Sequence, residues 1–139
     1  MKKSRLIAGL LRLLVAVALA IPAVAQQSPY TIQVPFRFNV DARVFPSGEY
    51  RISVGSPGAV QIHGVDHTAS AMLVATFLSR LRGESKNAEL VFHRYGQEYF
   101  LAQVWFKDTD IGYKLLLSRS ERDYATRIPK TDTVLRAEK

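Results

Sequence analysis

The chain has 139 residues, nineteen Lys and Arg against twelve Asp and Glu, and no cysteine. That length holds one ordinary domain rather than two, and the missing thiols exclude disulfides, Cys-ligated zinc and cysteine nucleophiles. The net charge of +7 shrinks on inspection: four basic and no acidic residues lie within residues 1–25, so fifteen basic against twelve acidic residues leave +3 beyond them, too little to argue for nucleic acid as a partner.

Lys2, Lys3, Arg5 and Arg12 precede an uninterrupted apolar run from Leu13 to Ile21, followed by Pro22 and Ala23-Val24-Ala25. A basic start, an apolar middle and small residues at the end are the order of a secretory signal peptide. Residues 1–25 are read as that leader, with cleavage after Ala25 and a mature chain starting at Gln26 outside the cytoplasm, periplasmic or secreted. A retained anchor fits less well, because a span takes about 20 apolar residues and Arg12 leaves nine. No integral membrane span is expected after cleavage.

From Tyr30 the dominant period is two, which places alternate side chains on opposite faces of a sheet. Ile32, Val34, Phe36, Phe38 and Val40 alternate with Gln33, Pro35, Arg37 and Asn39, one strand that Pro35, lacking an N–H, confines to an edge. Phe45-Pro46-Ser47-Gly48 forms a turn into a strand carrying Tyr50, Ile52 and Val54. Ser56-Pro57-Gly58-Ala59 has the proline and glycine of a type II turn, and the chain returns from Val60 to His63. After a polar loop over 64–68, the segment 69–81 fits two templates. A helix would align Ala71, Val74, Ala75 and Leu78; a strand would align Ala71, Leu73, Ala75 and Phe77, and the β-branched Val74 and Thr76 favour the strand.

A polar connector over 82–87 leads to a hairpin, Glu89 to Tyr95 and Glu98 to Phe106 around Gly96-Gln97. A two-residue loop sets the register: Tyr95 faces Glu98, Arg94 faces Tyr99, His93 faces Phe100, Phe92 faces Leu101, Leu90 faces Gln103 and Ala88 faces Trp105. Leu90, Phe92, Leu101 and Trp105 then share the core face, and Arg94 lies over Tyr99. A charged turn over 107–110, a strand over 112–117 and a helix over 118–128 follow. Ser118 and Glu121 make a capping box for that helix, Tyr124 and Ile128 dock it, and Pro129 ends it before a loose tail over 130–139. The fold expected is mainly β: one domain over 26–129, an antiparallel sandwich or small barrel of six to seven strands with a short C-terminal helix. The pattern leaves sandwich and barrel both open.

Chemistry is sparse. His63, Asp66 and His67 would share a face on a helix, but Gly64 and the flanking strands place them in a loop, and no nearby glutamate completes a ligand set. His93 next to a carboxylate suits acid–base work, yet the register sets it opposite Phe100 rather than Glu98. His93, Arg94, Tyr95, Glu98 and Tyr99 are therefore read as a surface or binding cluster at the hairpin tip. No G-x-S-x-G elbow, phosphate loop or dinucleotide fingerprint occurs, and Asp108 and Asp110 sit in a solvated turn. No catalytic, metal or cofactor residue is assigned. The aromatics Phe36, Phe38, Tyr50, Phe92, Tyr99, Phe100, Trp105 and Phe106 are core residues, or the lining of a ligand cavity if the sheet closes.

Val34-Pro35-Phe36-Arg37-Phe38, Phe45-Pro46-Ser47-Gly48-Glu49-Tyr50, Leu90-Val91-Phe92-His93-Arg94-Tyr95-Gly96, Tyr99-Phe100-Leu101-Ala102-Gln103-Val104-Trp105 and Ser118-Arg119-Ser120-Glu121-Arg122 together resemble a family of small exported bacterial proteins with no assigned activity. The resemblance implies one exported β domain and carries over no catalytic residue. The expectation is a non-enzymatic domain that binds a protein, a glycan or an envelope component, and no nucleic acid. The alternatives are a closed barrel carrying a small apolar ligand, and a hydrolase or metal enzyme built on His93 or on His63 and His67.

Overall fold

A computed structural model describes residues 27–81 and 87–137. The leader expected over 1–25, its cleavage site and most of the 82–87 connector lie outside the described residues. Among the described residues the period-two pattern becomes ten strands: β1 (Tyr30–Val34), β2 (Phe38–Val40), β3 (Arg43–Phe45), β4 (Gly48–Ser56), β5 (Ala59–Gly64), β6 (Ser70–Ser79), β7 (Glu89–Tyr95), β8 (Glu98–Trp105), β9 (Ile111–Leu115) and β10 (Thr131–Arg136), with one helix, α1 (Arg119–Ala125), before the last. The fold is mainly β and sandwich-like, as expected, but with more strands than the six or seven anticipated. It is also mixed: β2 meets β8 in a parallel contact at Asn39 and Phe100.

One layer runs β1-β4-β5 and takes in the first half of β6; the second half of β6 continues into β9 and β8, with β7 and β10 beyond. The ambiguous segment is thus a strand. Among the described residues β1 pairs as a strand with β4 alone and β10 with β7 alone, so the sheet does not close into a barrel. The barrel alternative is corrected accordingly, and large side chains occupy the space between the layers. Phe38, Phe45, Tyr50, Phe92 and Phe106 are each less than 2% exposed, along with Ile52, Ile62 and Leu90. Phe38 meets Tyr50 edge-on at 5.1 Å and Phe92 at 5.4 Å between ring centroids, and the Tyr50 hydroxyl donates to the Pro46 carbonyl at 2.6 Å. Burying each such side chain contributes about 1.5–3 kcal/mol.

The single first strand read over Tyr30 to Val40 is divided. β1 stops at Val34, and Pro35-Phe36-Arg37 carries the chain to β2 in the other layer. Proline offers no N–H to continue a ladder, yet the alternation survives the break, with Ile32, Val34, Phe38 and Val40 all buried. Gly58 has φ 78°, as the third position of a type II turn requires, and Gly96 has φ 62° at the hairpin tip.

The hairpin register holds from Tyr95–Glu98 to Phe92–Leu101 and then slips: Val91 pairs with Gln103, Leu90 with Val104 and Glu89 with Trp105. Ala102 is the extra residue, a bulge that reverses the phase of β8 beyond it. Leu90 therefore faces Val104 rather than Gln103, and Trp105 leaves the core face and lies opposite Glu89 rather than Ala88. Trp105 packs against Gly112, and the Arg80 guanidinium sits 4.0 Å from its ring centroid.

Two further expectations change at the C-terminus. The helix is shorter than 118–128, because the Arg127 and Ile128 N–H groups both bond to the Tyr124 carbonyl in a closing turn. The tail beyond Pro129 is not loose over its first part: β10 pairs with the open edge of β7, setting Val134 opposite Val91, Leu135 opposite Leu90 and Arg136 opposite Glu89. An unpaired β7 edge would leave backbone groups without partners, and Leu135 packs on the core. Arg136 Nε donates to Glu89 Oε1 at 2.9 Å, and Arg80 Nη2 bonds the other carboxylate oxygen. Glu89 is 5% exposed. Burial alone would raise its carboxyl, but the bonds and charges of Arg136 and Arg80 outweigh it and hold the group below the ordinary carboxylate range.

Two substitutions test these contacts. Glu89→Ala leaves the half-buried Arg80 without that carboxylate and is expected to cost about 3 kcal/mol in urea melts at neutral pH. Because the folded carboxyl is held low, its stabilisation is complete above the usual glutamate range and fades as pH falls through the depressed value. The gap between wild type and variant should therefore close in acid. Gly112→Ala drives a methyl group into the Trp105 ring and should cost about 1–3 kcal/mol, a loss relieved when Trp105 is also replaced by Leu.

Candidate functional site

The hairpin-tip cluster is not one site. Alternation along β7 and β8 sends His93 and Tyr95 to one face and Arg94 and Tyr99 to the other. Arg94 does lie over Tyr99, 5.5 Å from the ring centroid, while its Nε donates to the Gly96 carbonyl at 2.8 Å. Tyr99 in turn stacks on Phe36 at 3.9 Å. Glu98 accepts from Arg37 Nη2 at 2.9 Å and from Asn39 Nδ2 at 3.1 Å, and Asn39 also donates to the Tyr99 carbonyl. These bonds tie the start of β2 to β8 where the two meet in parallel, so Glu98 is engaged in building the fold.

On the opposite face, His93 Nδ1 lies 2.5 Å from Glu121 Oε1, and the Tyr95 hydroxyl donates to the same oxygen at 3.3 Å. All three residues are buried. Ser118 caps α1 as expected, its Oγ accepting from the Glu121 N–H at 3.0 Å, but the Glu121 carboxylate does not complete the capping box. It reaches across to β7. Burial, together with the charge and hydrogen bond of Glu121, pushes the Tyr95 hydroxyl above the ordinary phenol range. Tyr124 adds ring contacts to Phe100 and Tyr95 at 5.6 and 6.5 Å. A histidine, a carboxylate and a tyrosine in sequence have the parts of a proton relay, yet here they are sealed beneath α1 and fasten it to the sheet. The sequence gives Glu121 only a capping role, because its spacing from Ser118 fits a cap equally well.

The third place is open. β4 and β5 set Arg51 directly opposite His63, and Gly64, Val65 and His67 complete a surface cavity of about 380 Å³. The loop that shapes it is tightly bonded: the Gly64 N–H meets the Ala69 carbonyl at 2.7 Å, the His67 N–H meets the Gly64 carbonyl at 2.9 Å, and the Val65 N–H meets the Glu49 carbonyl at 2.9 Å. Asp66 Oδ1 accepts from the Thr68 hydroxyl at 2.7 Å and its N–H at 3.1 Å, bonds that hold the carboxyl below its ordinary range. Asp66 is thus turned into the loop and does not line the cavity with the histidines. Among the described residues no group of three or more His, Asp or Glu is placed to hold a metal ion. The side chains of Arg51, His63 and His67 make no hydrogen bond or ion pair with other described residues. Arg51 escaped the sequence reading because counting back from the Pro57-Gly58 turn sets it opposite Gly64; a register shift between Val54 and Ser56 brings it to His63 instead.

Comparison with known protein families, with curated proteins and with solved structures finds no match to this chain.

Glu121→Ala deprives His93 and Tyr95 of their shared buried acceptor and is expected to cost about 2–3 kcal/mol. Hydrogen exchange should accelerate in α1 more than in β4 and β5, since the carboxylate is the polar fastening between helix and sheet.

Proposed function

We propose that this protein is an exported, non-enzymatic β domain that binds a component of the cell envelope through the cavity at Arg51, His63 and His67. The observation that carries the reading is a division of labour among polar side chains. His93, Tyr95, Glu121 and Glu89, the groups best suited to acid–base chemistry, are buried in bonds to one another or to arginines. Arg51, His63 and His67 are instead exposed around one concavity, and exposed polar side chains on a rigid two-stranded scaffold suit recognition. Export rests on the order of residues 1–25, from basic to apolar to small.

Two measurements test this reading. The intact mass of the natively processed protein should correspond to a chain beginning at Gln26; a mass that retains residues 1–25 overturns the export. An array of bacterial envelope polysaccharides and peptidoglycan fragments should give a signal that the triple substitution Arg51→Ala, His63→Ala and His67→Ala removes while circular dichroism stays unchanged. Binding undiminished in the triple variant overturns the assignment of the cavity.

A further inference from the structure

We propose that this cavity is an oxyanion site: it takes a carboxylate or phosphate group carried by a sugar-sized ligand. The inference rests on reading the cavity as a binding site and names the ligand class. The argument begins with register. Residues directly opposite on antiparallel strands have Cβ atoms about 4.5–5.5 Å apart, so Arg51 and His63 can close on a single group from two sides. Arg51 is permanently charged and presents a planar fork of donors matched to carboxylate and phosphate oxygens. His67, held at φ 62° in the adjoining loop, supplies a third donor on the same rim. A volume of about 380 Å³ accommodates one monosaccharide-sized group and lies at the small end of ligand pockets.

Few opposing charges surround Arg51 and the two histidines. On β4 the neighbouring ionisable group on the same face is Glu49; the loop adds Asp66, whose carboxylate is occupied by Thr68. β1 and β6 bring Thr31 and Ser70 opposite Arg51 and His63, neither of them charged. Arg51 and the two imidazoles thus face two carboxylates, one of them already bonded to Thr68.

The test follows the ring resonances of His63 and His67 by NMR in the purified protein. Glucuronate, inorganic phosphate and uncharged glucose are titrated separately under one buffer condition. Saturable shifts of both rings are expected with glucuronate or phosphate, and whichever saturates at lower concentration identifies the carboxylate or the phosphate as the preferred source. Arg51→Ala and, independently, His63→Asn should each weaken anion binding at least about tenfold, while the buried His93 ring keeps its resonance position and so reports an intact fold. Glucose binding as tightly as glucuronate and equally in the Arg51→Ala variant overturns the oxyanion inference but leaves the cavity a binding site. Absence of saturable binding by all three probes also overturns it, and the envelope array then decides separately whether the cavity binds anything.

Discussion

The two layers are joined through β6, and the rest of the sandwich depends on how that strand crosses between them. Its first residues pair with β5, from Ser70 opposite His63 to Val74 opposite Ala59; from Ala75 onward it pairs with β9, as far as Ser79 opposite Ile111. At the crossing the inward side chains are Ala71 and Ala75, both buried, and small side chains let the layers approach where they share a strand. The Ala75 N–H bonds to the Gly58 carbonyl at 2.8 Å, which anchors the crossing point to the turn before β5. Loosening β6 would free β5 together with the loop behind it, and the cavity at Arg51, His63 and His67 is built on that pair.

Two local slips of register place the side chains that matter. The one between Val54 and Ser56 brings Arg51 to His63; the one at Ala102 turns Trp105 away from the core toward Gly112 and Arg80. Each inserts one residue, and one residue reverses every alternation beyond it. The second also sets Glu89 opposite Trp105, where Arg80 and Arg136 converge on its carboxylate. A buried carboxylate with two arginines is tolerable where its desolvation is matched by bonds to both oxygens, and here Arg136 of β10 and Arg80, just after β6, supply them.

The same logic separates the histidines. His93 is enclosed by α1 and has Glu121 as its partner, so its ring is committed to docking the helix. His63 and His67 stand at the rim of a cavity beside an exposed arginine, with the nearest loop carboxylate bonded to Thr68. Residues of one type thus serve as a fastening in one place and as an open contact in another, and the difference is set by what lies above them.

Much of the architecture was legible in the order of residues. Alternation over Tyr30 to Val40, the Pro57-Gly58 and Gly96-Gln97 turns and the cap at Ser118 all rest on interactions within a few positions, which local stereochemistry decides. Whether 69–81 was strand or helix turned on partners from β5 and β9, and alanines at Ala71 and Ala75 give too little contrast for a period to stand out. The fate of the tail, the reach of Glu121 to His93 and the meeting of Arg51 with His63 are long-range or depend on a single inserted residue. By itself, the sequence determined a β body with its turns, helix cap and buried face. The tertiary structure alone decided which polar side chains were enclosed and which stood open, because burial and register depend on what packs across from a residue and not on its neighbours in the chain.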